Sequence, residues 1–492
     1  MDDIAKLDRR IMLLMLVTGT LASALVLEYS TAEDMGLFLS EAAMVSSGHK
    51  LYVDFFELKD PLFLWLIGLE YHFFGRMGPY IGDGLAVAVA PLVAFKAARS
   101  LDIKSWYAGM SGVVFLLCLT NQYFNSLRSG TLAIVLIVYS VHLAASAKPF
   151  CLGLISGVIL GLKMPYFPIV ICGLFLVYFR NRYTHVLSRF FLGFVTTLTV
   201  LLLTLKMRGE LSGYFRMVSF NFSYRANYQE LSGLKTGLAG RIQVMDTNQA
   251  NVFVILMAVL LVTIGLFPKR RFKTHQPLNQ VFCLLLIFSV LFILLTSAMW
   301  FHHLQPLAIL SWAVIVLVFS NNWFERRNSP LKNLLLILGM TVALQYTHSD
   351  IPLAFRTPLK EVLSPDFKEP DVLKTMATWP TINGPYTFSR LGPNDEQGLV
   401  GFMDSKWRLK CRLYGQAGME SIDDINKFVA CLEREPNYIF ESPGYRAIGD
   451  RGNQKTLRQL TDSLLQDKFS CVESEFREAE RVCVRRPSSE FG

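Results

Sequence analysis

The chain has 492 residues, room for two or three ordinary soluble domains, yet 52% of them are hydrophobic and only 18% are charged. A mean hydropathy of +0.36 argues against a soluble protein, as do apolar residues gathered into blocks of roughly 17 to 22, about the length that crosses a hydrocarbon core as a helix. The formal charge of +9 lies in short basic clusters between those blocks. That is the footprint of cytoplasmic loops, and it argues against nucleic acid as a partner.

Lys6, Arg9 and Arg10 precede an apolar run from Ile11 to Leu27. Ala22-Ser23-Ala24 imitates a signal-peptide cleavage site, but the many apolar blocks that follow favour an uncleaved first span leaving the cytoplasm. A long outer segment, Glu28 to Tyr80, comes next. Within it, the apolar stretch 61–74 is short and carries Glu70 and His72, which predicts a re-entrant or interfacial helix. The next span, 81–98, returns inward. Lys96, Arg99 and Lys104 then fall inside, whereas a crossing by 61–74 would put them outside.

Further spans are expected at 106–121, 131–147, 150–162, 165–179, 190–205, 252–267, 281–298, 304–319 and 334–346. The inside loops then hold Lys148, Arg180, Arg182, Arg189, the run Lys269-Arg270-Arg271 with Lys273, and Arg326, Arg327 and Lys332. The total is about eleven crossings, with the N-terminus in the cytoplasm and the C-terminus outside. The outer loop 208–251 mixes Tyr214, Phe215, Phe220, Phe222, Tyr224 and Tyr228 with basic residues. It is expected to lie on the membrane surface, where aromatic and basic side chains partition to the headgroups.

From about Ser349 onward the apolar blocks vanish, charge rises, and turn formers such as Asn383-Gly384-Pro385 and Ser442-Pro443-Gly444 appear. A strand is expected at 438–440 and helices at 422–432 and 457–465. The predicted architecture is an all-α polytopic membrane domain with added interfacial helices, residues 1–348, followed by a small α/β extracytoplasmic domain, residues 349–492. Cys118, Cys151, Cys172 and Cys283 fall in apolar spans, where a thiol is a small hydrophobe. Cys411, Cys431, Cys471 and Cys483 all fall in the C-terminal domain. An even set outside the membrane points to two disulfides. Three pairings exist, and local spacing favours Cys411–Cys431 with Cys471–Cys483 over the others and over a zinc site, for which no CxxC or His spacing is present.

The chemistry is concentrated in the first outer segment. Ala32-Glu33-Asp34-Met35-Gly36 opens it, Gly48-His49-Lys50-Leu51-Tyr52-Val53-Asp54 follows, and Leu58-Lys59-Asp60-Pro61 leads to Trp65. Acids held at a membrane surface are costly unless paired or hydrated, which makes them functional candidates. The plainer alternative is that Glu33 and Asp34 cap the helix that follows them. This stretch resembles the first outer loop of GT-C membrane glycosyltransferases, the branch of the protein O-mannosyltransferases and lipid A aminoarabinose transferases. That branch reads Asp-x-Gly, a short helix, Gly, then Tyr-x-Asp and a Lys-Pro-Pro-like turn into an aromatic helix. The Gly161-Leu162-Lys163-Met164-Pro165 turn and Trp300-Phe301-His302-His303-Leu304-Gln305-Pro306 are also similar to that family. Two positions depart from it: Met35 stands where an acid is common, and Asp60 where a proline is common.

The resemblance implies an inverting transferase that takes a sugar from a polyprenyl-phosphate carrier and passes it to an acceptor hydroxyl on a glycan, lipid or protein. Asp34, assisted by Glu33, would be the base, since the acceptor hydroxyl must lose a proton as it attacks the anomeric carbon. The leaving lipid phosphate needs cations. Lys59 is the first candidate for that role and His303 the second, with His302, Arg128, Lys163, Tyr52 and Asp54 also placed at the substrate. Snorkelling to headgroups is the plainer role for Lys59. A divalent cation, Mg or Mn, on Glu33, Asp34 and Asp54 is a possible cofactor. The expected location is a bacterial inner membrane with the C-terminal domain in the periplasm. Two other readings predict different behaviour: a glycolipid transporter or flippase, against which the lack of two similar halves counts, and a non-catalytic envelope assembly protein in which Asp34 is dispensable.

Overall fold

The computed structural model describes residues 2–28, 33–53, 59–120, 128–166 and 184–219, and helical positions 308–309, 312–313 and 316. In the C-terminal region it describes 387–391, 408–409, 411, 422–434, 436–441, 454–473 and 481–486. Most of these residues are helical. In chain order the helices are α1 (Asp2–Glu28), α2 (Glu33–Ser46), α3 (Pro61–Phe74), α4 (Gly78–Arg99), α5 (Ser105–Leu119), α6 (Arg128–Ala145), α7 (Pro149–Leu162) and α8 (Thr184–Arg208). Then come α9 (211–219) and, in the C-terminal region, α10 (Ile422–Arg434) and α11 (Gln454–Lys468). The expected spans at 165–179, 252–267, 281–298 and 334–346 lie outside the described residues, apart from the turn Met164–Tyr166.

The helix starting at Pro61 has the 14 residues expected of it. Proline at its first position suits a helix start, where the missing N–H has no partner to lose. Gly75, with a φ of 57°, caps its end by donating to the Tyr71 carbonyl, a left-handed conformation that glycine adopts without a Cβ clash. The chain turns through Gly75–Met77 directly into α4. Among the described residues, two stretches, Pro61–Arg99 and Val186–Arg208, are long and apolar enough to cross a membrane. Leu13, Leu14, Val17 and Leu21 on α1 and Leu192, Val195, Val200 and Leu203 on α8 are exposed. Continuous apolar faces of this kind mark an apolar environment around the helices.

Charges sort the helix ends. Arg99 at the end of α4 pairs with Asp8 near the start of α1 at 3.0 Å and also donates to the Ile103 carbonyl. Lys96 and Lys148 both lie in the electrostatic surroundings of His142, near the end of α6. The start of α1, the ends of α4 and α6 and the start of α7 therefore share one end of the helical layer. α1 and α4 are antiparallel, with Asp8 beside Arg99 and Gly19 beside Ala88. The starts of α2 and α3 and the end of α7 occupy the opposite end.

Among the described helices, α7 and α8 pack most closely. Gly153 of α7 lies against Phe190 and Phe194, Gly157 against Thr197, and Gly161 against Leu201, with Gly193 of α8 lying against Phe150 and Leu154. The matching increments, 153 to 161 against 190 to 201, make the two helices parallel, so Tyr166 and Thr184 stand at opposite ends of the layer. A Cβ on Gly153 would run into the Phe190 carbonyl and stand 2.8 Å from the Phe194 amide nitrogen. Small residues four apart permit this approach, and Thr197 donates across it to the Leu154 carbonyl at 3.2 Å.

The C-terminal region forms a five-stranded sheet of order β2-β1-β3-β5-β4: β1 (Thr387–Leu391), β2 (Arg408–Leu409), β3 (Tyr438–Glu441), β4 (Phe469–Glu473) and β5 (Arg481–Arg485). β1 is parallel to β2 and β3, and β5 is antiparallel to β3 and β4. Alternation along the strands separates two faces. Ile439 and Cys483, opposite one another in the ladder, pack with Ile425, Phe428 and Leu432 of α10 and Leu457, Leu464 and Leu465 of α11. Their neighbours Tyr438, Val482 and Val484 belong instead to the cluster that contains Phe38, Leu51, Tyr52, Phe63, Leu162, Tyr214 and Met217 of the helical layer. The strand and both helices expected from sequence are present, each slightly longer than read. The two disulfides are Cys411–Cys431 and Cys471–Cys483, the pairing that local spacing favoured. They suit an oxidising compartment.

Candidate functional site

Four elements converge at the end of the layer that holds the starts of α2 and α3. The segment after α2 is fastened first. Leu51 donates its backbone N–H to Glu210 Oε1 at 3.0 Å, and Arg208 Nε donates to the same oxygen at 2.8 Å. Glu210 is fully buried, so a carboxylate at the end of α8 anchors a loop 159 residues away in sequence. Tyr52 comes next, in the left-handed region with a φ of 62°, which costs a non-glycine residue conformational energy. Its hydroxyl donates to the Lys59 carbonyl at 2.7 Å, bracing both ends of the segment that leads to Lys59. α9 packs on top of it: a Cβ on Gly213 would stand 2.6 Å from the Tyr52 carbonyl oxygen, and the Tyr52 and Tyr214 rings are 5.9 Å apart. The outer loop after α8 was expected to lie against headgroups. Its described part packs on protein, with Met217 and Gly213 buried and Phe215 exposed.

Lys59 is thereby aimed at the beginning of α2. Its Nζ lies 5.7 Å from the centroid of the Phe38 ring, and Phe38 is itself buried edge-on against Phe63 at 5.2 Å. Asp34 is in the first turn of α2, four residues before Phe38, which is one helical turn along the same face.

Asp60 is buried and occupies the N-cap position of α3. An N-cap aspartate ordinarily accepts from the N–H groups of its own helix. This one makes no such bond. Its Oδ2 instead accepts from the backbone N–H of Met164 at 2.8 Å, joining the start of α3 to the turn that follows α7. Lys163, the C-cap of α7, is in that turn, its Nζ 4.8 Å from the centroid of the Tyr166 ring. By area Lys163 is partly exposed, but its ammonium is enclosed closely enough that desolvation is the main cause of its lowered proton affinity. Desolvation and the nearby Lys59 charge push it down to about 7, and Asp60 opposes them. The Tyr214 phenol is pushed up to about 12, first by burial and then by the Asp60 charge, so it stays neutral and can donate a hydrogen bond.

Among the described residues, the ammonium groups of Lys59 and Lys163 lie near the Asp60 carboxylate, with Phe38, Tyr166 and Tyr214 beside them. A half-buried grouping of described charges with more cations than anions suits an anionic group. Of the residues predicted at the substrate, it brings together Tyr52, Lys59 and Lys163. Asp54, His302 and His303, and the side chains of Glu33, Asp34 and Arg128, lie outside the described residues. The expected divalent-cation ligands are among them. Among the described residues no three His, Cys, Asp or Glu side chains group as a metal site. The sequence marks Asp60 only as a family departure and Tyr214 only as a headgroup-facing aromatic, and it does not single out Glu210. No local signal marks them, because their partners are remote in the chain. No protein-family model matches the chain. No curated protein matches it either.

Proposed function

We propose that the chain is an inverting membrane glycosyltransferase of the GT-C type, moving a sugar from a polyprenyl-phosphate carrier to an acceptor hydroxyl. The observation that carries this reading is the meeting of Lys59 and Lys163, remote in sequence, around Asp60 beside the start of the helix that bears Asp34. In the reaction the acceptor oxygen attacks the anomeric carbon and its proton passes to Asp34. The bond from that carbon to the phosphate oxygen breaks on the opposite face, and the carrier leaves as a phosphate monoester. Lys59 and Lys163 compensate the charge that develops on this leaving oxygen, an effect worth most where water is excluded. The neutral Tyr214 supplies a further donor nearby.

The same proposal takes about eleven spans in a bacterial inner membrane, with the N-terminus cytoplasmic and the 349–492 domain periplasmic. Three observations support it: the Asp8–Arg99 pair that gathers the basic ends of α1 and α4, the antiparallel α1 and α4, and the disulfides in the C-terminal region.

The test compares wild type with Asp34→Asn, each reconstituted with a panel of polyprenyl-phosphate sugars and a crude acceptor fraction, following release of free polyprenyl phosphate. Wild type is expected to release it from one donor, and an equally folded Asp34→Asn protein is expected not to. Equal release by both removes Asp34 as the base. Binding of a donor by both without release by either favours a transporter or an assembly protein.

A further inference from the structure

The sequence reading treats Asp60 only as a position where the similar family carries proline. Its geometry assigns it more. It is an N-cap residue whose carboxylate is withheld from its own helix, it is buried, and it reaches the Met164 N–H at 2.8 Å. Through that bond the residue next to Lys59 is tied to the residue next to Lys163, so the two like charges are held together by one carboxylate lying between them in the chain path. Like charges brought this close oppose each other unless an anion stands with them. Among the described residues, the groups facing Lys163 include Lys59 and Asp60 from the segment before α3 and Tyr166 from its own turn. Tyr214 of α9 faces Asp60.

We propose that Asp60 is a positioning residue, an internal counter-ion that holds Lys59 and Lys163 convergent before the phosphate of a lipid carrier arrives. It is not a catalytic residue, and it does not act only as a backbone tie. The inference rests on the transferase reading, and it makes that reading more specific by naming what preorganises the phosphate-binding cations. Before the phosphate binds, Asp60 supplies the negative charge the two ammonium groups require. When the phosphate enters, it takes over that function, and both cations turn from an internal partner to the ligand. The arrangement therefore makes affinity depend on pH. Lys163 grips the phosphate while it is protonated and loses it as pH rises through about 7. With the Asp60 charge removed, Lys59 and Lys163 repel without compensation, and that loss moves to lower pH.

The experiment measures binding of a long-chain polyprenyl monophosphate to the full chain in nanodiscs across a pH series. Inorganic phosphate is run in parallel to separate recognition of the phosphate from recognition of the lipid. Asp60→Asn keeps an oxygen that accepts from Met164 and removes only the charge. Its binding midpoint is expected to fall by roughly one pH unit, the effect of losing one nearby opposite charge. At acid pH, where Lys163 is protonated, it is expected to bind at least as tightly as wild type because a negative neighbour of the phosphate is gone. Curves for Asp60→Asn and wild type that superimpose overturn the inference and leave the transferase reading standing. No binding of the lipid phosphate by wild type at any pH overturns both. Asp60→Glu retains the charge and guards against a folding defect in Asp60→Asn. It is expected to keep the wild-type midpoint, and an acid-shifted midpoint in that variant also overturns the proposal.

Discussion

Lys163 should weaken the fold that holds it. Its proton affinity falls from the ordinary value of 10.5 to about 7, and at about 1.4 kcal/mol for each tenfold change that is a ceiling near 5 kcal/mol. Partial exposure lets water reach the ammonium, and removing the cation leaves Asp60 with one lysine fewer. A net cost of about 1–3 kcal/mol is the reasonable expectation after that discount. The sign follows from the direction of the shift. The unfolded chain binds the proton more tightly between about pH 7 and 10.5, so stability rises with pH across that window, and below about 7 the cost is constant.

Lys163→Met is therefore expected to raise the thermal midpoint of the detergent-solubilised protein by several degrees near neutral pH. It should also flatten the rise of that midpoint with pH and abolish binding of polyprenyl phosphate. The assay is thermal unfolding followed by intrinsic fluorescence at two pH values, below and above the window, with binding measured on the same samples. A variant that is less stable than wild type at both pH values would refute the argument, because it would mean that Asp60 and Tyr166 stabilise the ammonium more than burial penalises it.

Two further outcomes follow from the packing. Gly153→Ala forces α7 and α8 apart at the Phe190 carbonyl. It should cost about 1–3 kcal/mol, the usual penalty for overpacking, whereas Gly157→Ala, whose nearest neighbours are side-chain atoms of Thr197 and not backbone, should cost less; unfolding midpoints of the two variants check the order. Reducing Cys411–Cys431 and Cys471–Cys483, which close loops of 20 and 12 residues, should remove about 3 kcal/mol per bond. Limited proteolysis should then cut in the C-terminal region and spare α7 and α8.

Much of the described helical layer was legible from local sequence, and so were the pairing of the disulfides and the positions of α3, α10, α11 and β3. These depend on properties a short window carries: the length of an apolar run, proline and glycine at helix ends, the period of buried positions, and the spacing of cysteines. The 14-residue length of the helix at 61–74 was readable too, and the Asp8–Arg99 pair brings the start of α1 to the end of α4. The glycines at 153, 157 and 161 are a local signal for close helix packing as well.

What only the tertiary structure decided is how the charges pair. From sequence Asp60 is an N-cap and Lys163 a residue in a turn that faces either a cavity or the interface. The fold makes them neighbours through the Met164 N–H, across 104 residues, and the burial that accompanies this contact lowers the proton affinity of the lysine. Glu210 and Tyr214 are the same case, since each acts on a segment some 160 residues distant. Apolar periodicity specifies which face of a helix is buried. It does not specify which buried polar group will meet which, because that depends on the relative placement of helices, and in this layer close glycine contacts between helices help to set that placement.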